Sequence, residues 1–192
     1  LLETRCAVLT SSAPPSVSSV YSARPALQGA LCLVISQSGR SPDLLAAADS
    51  ARSAGAIVVA LVNAEDAPLA ARADHVIWLR AGIESSVAAT KTHIASLAAI
   101  LHLVCEWNGD ARLADALAGS PDGLDRTWQL DWSAAVERLK DAHNLYVLGR
   151  GLGLGVAGEA ALKLKETAGI HAEGLSAAEL LHGPMALVQS GF

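Results

Sequence analysis

Hydrophobic positions along this chain fall into short continuous runs, separated by polar turns marked with Gly, Pro, Asn and Ser. Ala30–Ile35 and Ala56–Val62 are apolar without alternation, the pattern of strands buried on both faces of a parallel sheet. His75–Leu79 predicts a third strand, after a short helical piece at Leu69–Ala73. Between the first two runs, Ser41-Pro42-Asp43 reads as a helix start, with Ser at the N-cap, Pro in the first position and an acid in the first turn. That helix is expected to run to about Ser53 and to stop at Gly55. Residues 11–19, rich in Ser and Pro, read as a loop, and a long helix is predicted after the loop Gly82–Ser86.

The second half repeats the alternation. A helix over 133–141, a strand over 144–148, a Gly-rich turn at 149–155 and a helix over 156–168 follow in order. Ser176-Ala177-Ala178-Glu179 has the form of a capping box opening a further helix, which His182-Gly183-Pro184 ends. A strand-like run precedes Gly191-Phe192. Residues 108–131, with Asn-Gly, Ser-Pro-Asp-Gly and a short Ala/Leu helix, separate the halves. The prediction is an α/β protein of two units, each a parallel sheet flanked by helices. A first domain spans 1–118, a linker 119–132 and a second domain 133–192. The chain opens on Leu1 without a Met and stops just past the strand-like run, so the expectation is missing sequence at both ends and two incomplete units.

Composition narrows the partners. Hydrophobic residues make up 52% and aromatics 4%, so the core must be aliphatic. Charged residues are 17%, below the usual quarter, and oligomerisation is the simplest reason for so few. Net charge is −5 with no Lys/Arg block, so no nucleic-acid partner is expected. A helix N-terminus can still bind an anion without net positive charge. Three scattered cysteines, Cys6, Cys32 and Cys105, fit a reduced cytoplasmic protein. The run Val87–Trp107 is long enough to span a bilayer, but Lys91, His93, His102 and Glu106 interrupt it. A buried core helix is the better reading, with no membrane partner.

Candidate chemistry begins at Ser36-Gln37-Ser38-Gly39-Arg40-Ser41. Hydroxyls and amides gather where a parallel strand ends and a helix begins, the edge at which open α/β sheets bind ligands. Serine hydroxyls donate to phosphate oxygens and the helix dipole favours an anion. Without a Walker lysine, a phosphomonoester fits better than a nucleoside triphosphate. A plain Ser-rich turn is an equal alternative on composition alone. Gly153-Leu154-Gly155-Val156-Ala157-Gly158 matches G-x-G-x-x-G, but it begins past the strand end, and a tight packing turn is preferred to a dinucleotide site. Glu166 stands near a helix C-terminus with Ile170 four residues on. The dipole there disfavours a carboxylate, which suits a general base, although an exposed helical Glu is the simpler reading. Glu159 and Lys163 are spaced for an ion pair. His182 is either a proton shuttle or a helix C-cap. No metal set is completed around His102 and Cys105, no G-x-S-x-G elbow occurs, and no cofactor is expected.

Several segments together carry a resemblance. They are Ser36-Gln37-Ser38-Gly39, Glu84-Ser85-Ser86-Val87-Ala88-Ala89-Thr90-Lys91, Leu148-Gly149-Arg150-Gly151, Ala160 through Glu166, His171-Ala172-Glu173, and His182-Gly183-Pro184-Met185-Ala186-Leu187. In this order, over residues 36–187, they resemble the double-SIS (sugar isomerase) family as found in the isomerase half of glucosamine-fructose-6-phosphate aminotransferase. The resemblance implies two SIS domains and a sugar-phosphate substrate. It implies that Ser36, Gln37, Ser38 and Ser41 hold the phosphate and that Val87 meets the sugar by its backbone. It further implies that Glu166 moves a proton between C1 and C2 beside Lys163, and that His182 assists ring opening in a site shared across a homodimer.

Departures from the family pattern matter as well. Arg40 replaces the family's Glu, and the Ser-Pro-Asp that follows resembles stand-alone double-SIS isomerases and deaminases of amino-sugar phosphates. The family's first serine-bearing loop and its Schiff-base lysine are expected outside residues 1–192. The implied activity is isomerisation of a 6-phosphosugar or amino-sugar phosphate, with amination or deamination as coupled options. The alternative from another class is a non-catalytic sugar-phosphate sensor, which a helix-turn-helix ahead of Leu1 would favour.

Overall fold

The computed structural model describes residues 1–23 and 25–189 and divides into two compact units, Leu1–Gly119 and Ser120–Phe192. The first carries a three-stranded parallel sheet, β1 (Leu31–Ser36), β2 (Ile57–Val62) and β3 (His75–Trp78), in the order β1-β2-β3. Helices α1 (Leu2–Cys6) and α2 (Ser16–Ser19) precede it, and α3 (Pro42–Ser53) is the crossover from β1 to β2. A 3-10 turn at Pro68–Arg72 leads into β3, and α4 (Lys91–Asn108) and α5 (Ala111–Ala118) close the unit. The second unit holds α6 (Ser120–Trp128), α7 (Ser133–Leu139), β4 (Asn144–Gly149), α8 (Gly153–Ala168) and β5 (His171–Ser176). Its strands pair in parallel, Asn144 opposite His171 through Gly149 opposite Ser176.

The parallel α/β architecture read from the sequence is present in both units. The core of the first is aliphatic: Val34, Ala48, Val58, Ala60, Val62 and Leu69 are buried together. Complete burial of Val58 or Leu69 stabilises by about 1.5–3 kcal/mol each relative to exposure. β2, between two neighbours, is buried along most of its length. β1 is not buried on both faces as expected. It is an edge strand among the described residues, and Leu31 and Ile35 stay about two-fifths exposed.

Asp74 completes the β2–β3 junction. Its amide donates to the Val58 carbonyl at 2.8 Å and its carboxylate accepts from the Val58 amide at 2.9 Å. The side chain thus extends the ladder one residue before β3 begins. Arg52 Nε lies 3.0 Å from the same carboxylate. The Val58 hydrogen bond, and then Arg52, hold the Asp74 carboxyl below the usual aspartate range.

Other local expectations shift. α4 begins at Lys91 rather than near Val87, because the Glu84 carboxylate accepts the Thr92 amide at 2.6 Å and sets the first turn. Rather than a fully buried core helix, α4 packs on α1 and α5 and leaves Ile94, Leu97 and Trp107 exposed. The loop at 11–19 contains the single turn α2, and α8 starts at Gly153 rather than 156. The segment 119–132 carries α6. β5 had no prediction. The helix expected after Ser176 is not formed: the Ser176 hydroxyl accepts the Ala178 amide at 3.3 Å, and the chain tightens into 3-10 turns at Leu180–His182 and Pro184–Leu187. Gly183 at φ 148° and the ring of Pro184 stop propagation. The strand-like run before Gly191 is likewise 3-10 over Pro184–Leu187, and Gly191 and Phe192 lie outside the described residues.

The second unit depends on close backbone approach. A Cβ on Gly174 of β5 would stand 2.7 Å from Gly158 Cα of α8, and a Cβ on Gly149 would collide with the Gly153 carbonyl. Gly149 and Gly174 therefore let α8 lie close against its sheet.

Two outcomes are expected. Gly174→Ala forces backbone against backbone and destabilises by about 1–3 kcal/mol, read as a lower urea midpoint; an unchanged midpoint would mean that α8 can shift freely. Asp74→Ala lowers the midpoint at pH 7. A carboxyl depressed by folding contributes stability above its unfolded value near 3.8 and loses that contribution as pH falls. The gap between wild type and Asp74→Ala should therefore narrow below pH 3.8, and a gap independent of pH would contradict the assignment.

Candidate functional site

In the first unit the candidate residues gather at the carboxyl end of the sheet. Ser36 ends β1, and Gln37–Ser41 turn into α3. Gly39 adopts φ +61° and is buried, and a Cβ there would lie 2.7 Å from Ala67 Cβ and 3.1 Å from Leu69 Cβ. Only glycine fits both the conformation and the space. The turn is tied down further by the Gln37 carbonyl, which accepts the Asn63 and Ala64 amides at 3.3 and 3.0 Å, and by the Gly39 carbonyl, which accepts the Leu69 amide at 3.2 Å.

The serines are oriented by this frame. Ser36 Oγ accepts the Gly39 amide at 3.0 Å and Ser38 Oγ accepts the Arg40 amide at 3.4 Å. A hydroxyl that accepts retains its own O–H for donation. Ser41 occupies the N-cap of α3 without a side-chain capping bond. Arg40 turns to Asp66, with Nη2 2.5 Å from Oδ2.

Sequence reading missed three residues at this edge. Asn63 Nδ2 donates to the Gly82 carbonyl at 2.7 Å, and its Oδ1 accepts the Ala81 amide at 2.8 Å. It clamps the loop after β3, where Arg80 is held at φ 51°. Lys91 Nζ reaches the Ile83 carbonyl of that loop. Arg80, Asp66 and Asn63 line one open groove with Gln37 and Glu84. An Asn directly after a strand is a turn signal that could have flagged the clamp; nothing in the sequence marks Arg80. The Glu84 carboxyl is held below the usual range by the Thr92 amide. Val87 projects into solvent at 97% exposure.

In the second unit Lys163 lies between two carboxylates of α8. Its Nζ is 2.5 Å from Glu166 Oε2 and 3.5 Å from Glu159 Oε1. Glu166 therefore does have a partner, one turn back at i−3, which spacing at i+4 did not reveal. The hydrogen bond to Glu166, and next the charge of Glu159, raise the Lys163 ammonium above the ordinary lysine value. Lys163 is a cation that holds the Glu166 carboxylate in one place. His182 ends the 3-10 turn after β5 and is exposed. The Tyr146 hydroxyl donates to the Pro184 carbonyl at 3.3 Å, tying that turn to β4. The chain thus groups Ser36, Gln37, Ser38 and Ser41 in one unit, with Val87 in a later loop of the same unit. Lys163, Glu166 and His182 belong to the other.

The glutamine–fructose-6-phosphate aminotransferase (isomerizing) of Aeropyrum pernix is 40% identical over 181 residues, covering 88% of this chain and 29% of that protein. The crystal structure of a candidate phosphosugar isomerase from Silicibacter pomeroyi DSS-3 matches with a TM-score of 0.91 at 45% identity, over 100% of this chain and 58% of that one. The C-terminal domain of glucosamine-fructose-6-phosphate aminotransferase from Francisella tularensis matches with a TM-score of 0.80 at 28% identity, over 98% of this chain and 56% of that one. The chain spans under a third of the curated relative and little more than half of the solved chains. The SIS domain sequence model matches residues 8–105 and 138–191, in both units, and the chain belongs to the SIS domain family.

Proposed function

We propose that this chain binds a 6-phosphosugar or amino-sugar phosphate and takes part in its isomerisation. The observation that supports this best is the Ser36–Ser41 turn. Three hydroxyls stand at the sheet's carboxyl edge where α3 begins, in a backbone that Gly39 fixes against Ala67 and Leu69, and the first helical N–H is that of Asp43, because Pro42 has none. Such a turn offers a phosphate dianion several donors that need no rearrangement on binding, and an anchored phosphate orients the rest of the substrate. Val87, by its backbone, would contact the sugar.

The second unit supplies the proton chemistry in this reading. His182 assists opening of the sugar ring. Glu166 takes the proton from C2 of the open-chain aldose while O1 gains a proton from solvent, giving an enediol; the proton is then returned to C1 as O2 loses its own to solvent, giving the ketose, and the reverse direction exchanges the two carbons. Lys163 keeps the carboxylate oriented. The low charged fraction of 17% and exposed apolar residues such as Trp128 and Trp132 fit assembly into a homodimer with a shared site. Arg40 and the Ser-Pro-Asp that follows it favour a stand-alone amino-sugar-phosphate enzyme, for which deamination is the second reading.

In the intact protein, Glu166→Gln should lower turnover at least ~100-fold while the phosphosugar Kd stays within about twofold. Isomerisation of fructose 6-phosphate and of glucosamine 6-phosphate would be followed, with ammonia release against ammonia-dependent synthesis separating the two directions. Near-normal turnover would remove Glu166 from the mechanism.

A further inference from the structure

The groove beside the Ser36–Ser41 turn holds one cation whose position the phosphosugar reading does not yet use. Arg80 follows β3 with a left-handed backbone, φ 51°, which side chains other than glycine rarely adopt. Nothing downstream relaxes it. Its neighbour Leu79 donates to the Val62 carbonyl at 2.9 Å, and the Ala81 amide and Gly82 carbonyl are both held by Asn63. The loop is therefore fixed on either side of Arg80. Glycine or asparagine would satisfy that backbone more easily, and the arginine is present in spite of it.

Its charge is also available. Arg40 is committed to Asp66 at 2.5 Å, and the Lys91 ammonium to the Ile83 carbonyl. The Glu84 carboxylate is occupied by the Thr92 amide. Among the described residues Arg80 has no ion pair, and it is exposed in the groove that Gln37 also lines. Three carboxylates line the same groove: Asp66 is offset by Arg40, whereas exposed Glu65 and Glu84, which accepts only a neutral amide, keep negative charge that opposes an anion and that the Arg80 guanidinium must outweigh. A guanidinium placed this way matches phosphate geometry with a fork of N–H donors. The Ser-rich turn has hydroxyls and amides but no cation of its own free to meet a dianion.

We infer that Arg80 is a specificity-determining residue of the groove, its guanidinium contacting the phosphate of the bound phosphosugar. This rests on the phosphosugar reading above and deepens it: the ligand is selected for its charge by Arg80 and for its position by the Ser36–Ser41 turn.

Calorimetric titration of the intact protein with inorganic phosphate and with fructose 6-phosphate tests this in wild type, Arg80→Gly and Arg80→Lys. Arg80→Gly removes the guanidinium and relieves the backbone, so its thermal midpoint should equal or exceed that of wild type. Binding of both ligands should weaken about tenfold or more, and Arg80→Lys should recover part of the loss. Unchanged affinity for either ligand in Arg80→Gly, within about twofold, would overturn the role of Arg80 while leaving the phosphosugar reading intact. Failure of wild type to bind either ligand would instead overturn that reading, and this inference with it.

Discussion

Gly39 is wedged between a strand end and the segment that leads to β3, with Ala67 and Leu69 so near that a methyl group could not be added. That contact fixes the turn from β1 into α3, and much else follows from it. It aims the Ser36 and Ser38 hydroxyls, because each accepts an amide that the turn presents. It brings Gln37 against Asn63 and Ala64, and so links the turn to the loop after β2. Asn63 then carries the constraint to the loop after β3. Three successive loops at one edge of the sheet are thus locked together by backbone groups and the Asn63 side chain, with buried Leu69 beneath them. An edge held in this way would bind the proposed ligand at a low ordering cost.

The second unit uses the same device for a different end. Gly149 and Gly174 let α8 lie directly on β4 and β5. One face of α8 buries Ala157 and Ala161, and the other carries Glu159, Lys163 and Glu166. Packing of α8 on β4 and β5 positions the carboxylate proposed to move protons, together with its lysine. The proposed chemistry thus divides between an anchoring turn in one unit and a positioned carboxylate in the other.

Much of the fold was legible because its strands are short apolar runs bounded by strong punctuation. Ser41-Pro42 and Gly55 marked α3 closely, since a proline fits a first turn and glycine fits a stop. What was not legible came from interactions between distant residues. Glu84 sets the start of α4 across eight residues, and no local pattern announces it. The edge position of β1 depends on which neighbours it has, not on its own sequence. Ser-x-x-Glu at 176–179 has the letters of a capping box, but Ser176 is already the last residue of a strand and Pro184 comes too soon for a helix. For the site, the serine turn and Lys163 with Glu166 were visible as motifs. The clamp by Asn63 and the left-handed Arg80 were not, because their meaning lies in tertiary contacts.

The central claim is that the turn from β1 to α3 is a preformed phosphate site. Backbone amide shifts of the isotope-labelled protein, titrated with fructose 6-phosphate and with unphosphorylated fructose, address it most directly. The account predicts that the largest changes fall on the amides of Gln37, Ser38, Gly39, Arg40 and Ser41, and that fructose at the same concentration leaves them in place. Saturating fructose 6-phosphate that moves other amides while these five stay unchanged would contradict it.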